Sequence, residues 1–320
     1  MGFSSLISLN FQQYQQDNFF YPKSLQLTTK NKMKKYTIED FKNNYPSDQV
    51  CLDKIFQLRY GKLEACPKCA CVASWKRIPT RRCYQCRHCY EQFYPTAGTV
   101  FEKMRMPLSS IFYVIYLFTV TRNGVAAKEI ERQLGCTYKT AWRMGHVIRQ
   151  LMNKIGQEKL KGFVEVDETY YSKGKKPGNP GRSSENQSAI VAMVERTGEA
   201  RAQRVESVNN ATVLPLIEKH VDKSAHISTD ELHIYKNLNK LGYEHGSIMH
   251  AMKIYREGVV TTNTVEGLFS NFKRMIPTHI HISHKYLNNY LGEFIFRYNN
   301  RKKQDEMFEK ILLHLPLAEC

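Results

Sequence analysis

At 320 residues with 42% apolar side chains, the chain is long enough for two or three folded modules, which excludes a wholly unfolded protein. Lys and Arg number 47 against 30 Asp and Glu, and the net charge of +17 calls for a polyanionic partner, nucleic acid before a membrane surface. The longest apolar run, Ile111 to Val120, is about half of the ~20 residues a membrane span needs, and the N-terminus lacks a signal-peptide pattern, so the reading is a protein of a reducing cytosol.

Residues 1–35 read as a disordered extension: Gln, Asn and Ser prevail to about residue 32 without a sustained period, and Met33 is an alternative start. From Tyr36, YTIEDFKNNYP and QVCLDKIFQLRYG predict two short helices parted near Pro46 and Ser47, which with a cysteine block make a module over residues 36–105. Next, SSIFYVIYLFTV, AAKEIERQLG and TYKTAWRMGHVIRQLM predict three helices within residues 106–160. Beyond Phe163 the texture becomes β-rich: FVEVDETYY, SAIVAMVER and ARAQRVESV are strand-like, and the helix ATVLPLIEKHV follows. A strand AHIST, a helix around YKNLNKLG, a strand near GSIMH and a helix from Thr264 to about Met275 complete the order β-β-β-α-β-α-β-α. The last helix, roughly Lys285 to Asn300, repeats Leu287, Tyr290, Leu291, Phe294, Ile295 and Tyr298 as a core-facing stripe. This α/β module covers residues 161–305, and residues 306–320 read as a C-terminal tail.

Nine cysteines in a reducing compartment need a reading other than disulfides. Cys66 and Cys69 form one C-x2-C pair, Cys86 and Cys89 a second, and the sixteen residues between them match a structural zinc site. Two tight turns that each offer two thiolates complete a tetrahedral shell and stabilise a ribbon too small for a core of its own. The competing reading is four thiols that merely pack, with Cys71, Cys83 and His88 ranked behind as alternative ligands. Lys68, Lys76, Arg77, Arg81, Arg82, Arg87 and Tyr84 surround the block, a set suited to phosphate contact and base stacking, although each alone reads as ordinary surface.

AAKEIERQL, a turn at Gly135-Cys136-Thr137 and YKTAWRMGHVIR have the length and turn chemistry of a helix-turn-helix with Thr137 as N-cap. Tyr138, Lys139 and Arg143 then face a DNA groove, whereas Trp142 and Met144 belong to the core. A plain helical linker is the alternative.

Three carboxylates carry the chemistry. Asp167 ends the alternating strand FVEVD, Asp230 ends AHIST, and Glu266 opens a helix with thirty-five residues between it and Asp230, far enough to be brought back across the sheet. Breaking a phosphodiester requires activating a water or 3′-hydroxyl on one side and stabilising the leaving alkoxide on the other. Two Mg2+ (or Mn2+) ions about 4 Å apart do both and demand oxygen ligands. In this scheme Asp167 bridges both ions while Asp230 and Glu266 hold one each. Lys273 lies two helical turns after Glu266 on the same face, with Ser270 between, where a cation can hold the substrate phosphate. Each acid also has an ordinary explanation: a solvated strand end or helix cap for the aspartates, and a capping box from Asn263 to Glu266. Their joint order favours the metal site. His279, His281 and His284 follow Pro277 in a basic connector and read as loop or DNA contact rather than a zinc site.

With CPKC, CYQCRHCYEQFYPTAGTVF, QLGCTYKTAWRM, VEVDETYYSKGK, STDELHIY, TNTVEGLFSNFKR and YLNNYLGEFIFRYNNRK in order from about Met33 to Lys302, the sequence resembles bacterial insertion-sequence transposases of the ISXO-like group, which set a zinc ribbon before a DDE catalytic domain. The resemblance implies a ribonuclease-H-like fold for the C-terminal half, Mg2+ dependence and recognition of an element's terminal inverted repeats. Asp167, Asp230 and Glu266 fall on its catalytic positions, Lys273 on its downstream basic position with Arg274 beside it on the DNA, and Asn263 is a second candidate near the third position. Thr261 departs from the histidine found in many relatives. Partners implied are double-stranded DNA, as element ends and target, and a second copy of the chain, because two ends are processed together. The expected location is the bacterial cytoplasm at the nucleoid. The alternatives are a catalytically silent or domesticated zinc-ribbon DNA-binding protein and a nuclease without strand transfer.

Overall fold

The computed structural model describes residues 36–172, 187–249 and 256–315; the expected extension over residues 1–35 lies outside them. Helices α1 (Ile38–Asn44) and α2 (Asp48–Tyr60) begin where side chains satisfy their free amides. Thr37 closes a capping box with Asp40, and Ser47 accepts from the Val50 N–H. A small antiparallel sheet follows, β1 (Trp75–Ile78), β2 (Cys83–Cys86) and β3 (Gln92–Phe93). Next come α3 (Leu108–Val120), α4 (Ala127–Leu134) and α5 (Tyr138–Asn153). Gly135 ends α4 at φ +62°, a left-handed conformation natural to glycine, and Thr137 caps α5 by accepting from the Thr140 N–H. The expected helix pair with a three-residue turn is therefore present.

The second half is built on β4 (Phe163–Ser172), β5 (Gln187–Glu195), β6 (Ala200–Val205), β7 (His226–Thr229) and β8 (Glu244–Ser247), with α6 (Asn210–His220) between β6 and β7. They form one mixed sheet in the order β6-β5-β4-β7-β8: β4 and β6 run antiparallel to β5, while β7 is parallel to both β4 and β8. A short hairpin, β9 (Arg256–Glu257) and β10 (Val260–Thr261), leads into α7 (Asn263–Met275), followed by α8 (Leu287–Asn299) and α9 (Met307–Leu313). Strand alternation splits the sheet into two apolar faces. Val164, Val166, Val191 and Met193 join Val213 and Ile217 of α6, whereas Ala192 and Val194 join Val265 and Leu268 of α7 and Leu291 of α8. The sheet is thus covered on both sides.

Three expectations change. YKNLNKLG forms two 3-10 turns, His233–Asn237 and Asn239–Leu241, instead of an α-helix; its buried pair, Tyr235 and Leu238, is three residues apart, the 3-10 repeat. The strand expected near GSIMH starts earlier, at Glu244, because parallel pairing with His226 sets its register. Within the expected tail lies α9, whose Met307, Phe308, Ile311 and Leu312 are buried in one apolar cluster with Phe41, Leu52, Phe112 and Ile148. That cluster crosses residue 105, so the N-terminal helices and α3 to α5 share a core. Among the described residues no helix is long and apolar enough to cross a membrane.

A buried ion network ties α5 to α8. Arg149 Nε donates to Glu293 at 2.7 Å, Arg297 Nε donates to the same carboxylate at 3.1 Å, and Glu293 is wholly buried. Burial pushes the Glu293 carboxyl up, but the Arg149 and Arg297 guanidiniums hold it below its usual value. Gly292 permits the close approach: a Cβ there would lie 2.5 Å from the Asn153 Cβ. Replacing one partner strands the others without compensation. Glu293→Ala is expected to lower stability by about 3–5 kcal/mol, read from the midpoint of urea unfolding.

Candidate metal centres

The four paired cysteines converge. Cys66 Sγ lies 3.9 Å from Cys89 Sγ, Cys69 Sγ lies 3.9 Å from Cys86 Sγ, and all four sulfurs sit within 4.8 Å of one another. A tetrahedral zinc with Zn–S bonds of about 2.3 Å needs sulfurs about 3.8 Å apart, so the cluster fits that ion. Both knuckles have the same backbone design. The residue after the second cysteine, Ala70 or Tyr90, is left-handed (φ 57° and 59°) and donates its N–H to the carbonyl of the first, Cys66 or Cys86. Backbone N–H groups of Cys89 and His88 lower the Cys86 thiol to about 6. The competing ligands stay apart: Cys71 and His88 are exposed, and the Cys83 thiol donates to Gln92.

Around this centre the basic set divides. Arg81 and Arg87 are exposed, but the Arg82 guanidinium is engaged internally, donating to the Met104 and Met106 carbonyls at 3.4 and 2.9 Å and lying 3.5 Å from Asp48. Tyr84 is buried: its ring stacks on Phe56 at 3.8 Å and its hydroxyl donates to Asp53, which leaves no face for a base. With Trp75 packed between Phe56 and Phe93, these rings fasten the small sheet to α2. On α5, Tyr138, Lys139 and Arg143 are exposed on the surface expected to meet DNA.

The second centre lies on β4. The parallel pairing of β4 with β7 runs from Phe163↔His226 to Glu165↔Ser228, and carried two residues further it sets Asp167 level with Asp230. One carboxylate oxygen each from Asp167, Glu168 and Asp230 lies within 4.8 Å of the others. Asp167 Oδ1 accepts from the Glu168 N–H at 2.8 Å, and Asp230 Oδ1 accepts from the Leu232 N–H at 3.1 Å. Desolvation by burial raises the Asp167 carboxyl to about 7, helped by the charges of Glu168, Asp230 and Glu266 and opposed by the Glu168 amide. Three half-buried acids gathered this way are a hard-oxygen donor set, and such a set fits a divalent cation that offsets their repulsion.

Glu168 was not singled out in the sequence. It sits on the opposite face of the strand from Asp167, where buried Tyr235 donates its hydroxyl to Oε2 at 2.8 Å. Burial raises the Glu168 carboxyl, and the Tyr235 bond partly offsets this. A signal existed in the adjacent acids of VDET, but strand alternation argued against their acting together.

Glu266 stands outside the tight group. It is exposed on the first turn of α7, accepts from Thr262 Oγ1 at 3.1 Å, and is close enough for its charge to act on Asp167. The capping box expected from Asn263 does not form: the helix starts at Asn263, with Thr262 as N-cap. Glu266, Ser270 and Lys273 share the exposed face of α7, and Arg274 is exposed beside them. Of the three histidines, His279 packs its ring 4.8 Å from Tyr290, and His284 Nδ1 meets Ser188 Oγ at 2.6 Å. Burial, with Arg149 nearby, pushes the His279 pKa down to about 4.

Asp167 does not end its strand as expected: β4 pairs with β5 on to Ser172, so Asp167 and Glu168 sit in mid-strand and meet Asp230 just past the end of the parallel β7. A mixed α/β domain with acids gathered in this way is suited to divalent cations. Residues 159–299, from β4 through α8 with every acid just described, match the family model for the ISXO2-like transposase domain, and the chain carries a transposase domain of this insertion-sequence group. Among curated proteins it has no significant match.

Two outcomes are expected. Above pH 7 the unprotonated Asp167 destabilises the metal-free fold, and that penalty fades as pH falls from about 7 towards 3.8, where the unfolded chain also takes up the proton. Asp167→Asn should therefore raise the unfolding free energy at pH 8 in magnesium-free buffer by on the order of 1–2 kcal/mol, read from the midpoint of urea unfolding, and have little effect at pH 4. Protein as purified should contain about one zinc by atomic absorption, and Cys86→Ser should lose it and change the fluorescence of Trp75, one of two tryptophans in the chain.

Proposed function

We propose that the chain is the DNA transposase of an insertion sequence, which binds the element's terminal inverted repeats and cuts and joins DNA at a two-metal centre held by Asp167, Asp230 and Glu266. The observation that supports this most is the β4–β7 register, since it aligns two acids side by side within a stretch matching a transposase domain. Three antiparallel strands followed by two parallel ones, with helices on both faces, favour the ribonuclease-H-like assignment. The knuckle geometry favours a zinc ribbon.

Divalent ions, when bound, supply the charge that activates a water or 3′-hydroxyl and stabilises the leaving oxygen. Asp167, at the centre of the acids, Asp230 beside it and Glu266 on α7 are the residues that would hold such ions. Glu168 adds a fourth carboxylate, oriented by Tyr235. Lys273, exposed two turns beyond Glu266, neutralises the scissile phosphate and fixes its approach. Arg274 extends the same cationic edge. On the helical half, Tyr138, Lys139 and Arg143 contact the duplex, and Arg143 also lines a groove with Lys103 and Lys154. Arg81 and Arg87 of the ribbon add phosphate contacts. The net charge of +17 supports binding dominated by counterion release. Two ends must be cut together, so the working form is a dimer or larger assembly at the nucleoid.

Purified protein with Mg2+ and DNA bearing the element's ends should give nicked and then joined products. Asp167→Asn should reduce both by on the order of 1,000-fold or more; undiminished cleavage by that variant would refute the assignment. Glu266→Gln keeps an acceptor for the Thr262 hydroxyl but loses the charge, so it should lower the rate with an unchanged melting temperature. Nicks without joined products would leave a nuclease only.

A further inference from the structure

Glu165 lies two residues before Asp167 on the same face of β4, and it is wholly buried. A buried carboxylate needs partners, and this one has four. Its Oε2 accepts the backbone N–H groups of Thr264 at 2.6 Å and Val265 at 3.1 Å. Its Oε1 accepts Thr264 Oγ1 and Arg196 Nε, both at 2.9 Å. Thr264 and Val265 are the second and third residues of α7, whose first amides have no partner within the helix, and Thr262 supplies no side-chain cap. The anionic cap at the positive end of α7 therefore comes from the catalytic strand, about a hundred positions away in sequence.

Glu266 is the next residue after Val265. It is also the one proposed ligand outside the tight acidic group, so its distance from Asp167 depends on how α7 is held. We infer that Glu165 is a positioning residue, whose clamp on the first turn of α7 sets Glu266 to close the metal centre with Asp167 and Asp230. This rests on the metal-site reading above. A glutamine at 165 would retain the size but turn an N–H group toward donors on one side, which breaks half of the clamp.

The test is Mn2+ binding to zinc-loaded full-length protein, followed by electron paramagnetic resonance and calorimetry, for wild type, Asp167→Asn, Glu165→Gln, Glu266→Gln and the Glu165→Gln/Glu266→Gln double variant. Far-UV circular dichroism and the melting temperature report folding separately. Glu165→Gln should weaken Mn2+ about tenfold or more, and the double variant should bind no more weakly than Glu266→Gln alone, because one residue acts through the other. Thr264→Val, which removes a single donor and keeps both amides, should shift affinity in the same direction by less and serves if Glu165→Gln does not fold. Wild-type affinity in Glu165→Gln, or in Thr264→Val should it stand in, overturns the inference while the metal site stands. Losses that simply add in the double variant also overturn it. If wild type shows no Mn2+ site that Asp167→Asn removes, the metal reading itself fails, and the inference with it.

Discussion

The two-residue alternation of β4 is the constraint on which the acidic centre depends. It is the middle strand of five, bonded to β5 on one side and β7 on the other, so its side chains have no freedom to change face. Glu165 and Asp167 are thereby turned to the α7 side, while Val164, Val166 and Glu168 face α6 and Tyr235. A slip of one residue would bury Asp167 among the valines and lift Glu165 off its helix. The local run of alternating residues and the pairing on both edges specify the same register for Asp167 and Glu168, while Asp230 is held just past β7, where its carboxylate accepts the Leu232 N–H.

From that strand the order spreads outward. Parallel pairing brings Asp230 level with Asp167, and the Glu165 carboxylate draws in α7. The β9–β10 hairpin just before α7 packs close to β8, where Gly246 leaves room: a Cβ would come within 2.6 Å of Val260. A buried carboxylate used as a cap is costly to desolvate, which the two amides, the Thr264 hydroxyl and Arg196 offset together. Such a clamp defines an approach angle that apolar packing alone would leave looser.

The helical half is joined to the sheet half by a second buried carboxylate. Glu293 receives Arg149 from α5 and Arg297 from its own helix, and Arg149 also stacks 4.2 Å from the Tyr290 ring. The helix pair whose exposed Tyr138, Lys139 and Arg143 are suited to DNA is consequently one rigid piece with α8, which in turn covers the sheet. At the other end, aromatic stacking of Trp75 and Tyr84 on Phe56 seats the small cysteine-rich sheet on α2. Packed side chains thus join the cysteine-rich sheet, the helices and the strands among the described residues.

Local signals made much of this legible. Turn and cap residues such as Ser47, Gly135 and Thr137 act within their own neighbourhood, so the first five helices stand where they are expected. Cysteine pairs two residues apart carry their geometry in the knuckle backbone, and the four sulfurs converge accordingly. Contacts between distant segments were hidden. Tyr84 looked available for base stacking until Phe56 covered it, Arg82 was taken by two carbonyls, and residues 307–313, read as tail, complete a core shared with α1 and α3. By itself, the sequence determined most of the strands and helices, the cysteine spacing and the order of the acids, because periodicity, capping and short spacings are local. Only the tertiary structure decided that Glu168 joins Asp167 and Asp230, that Glu266 stays at the rim, and that Glu165 caps α7, because these depend on which strands lie side by side and which charges are buried together.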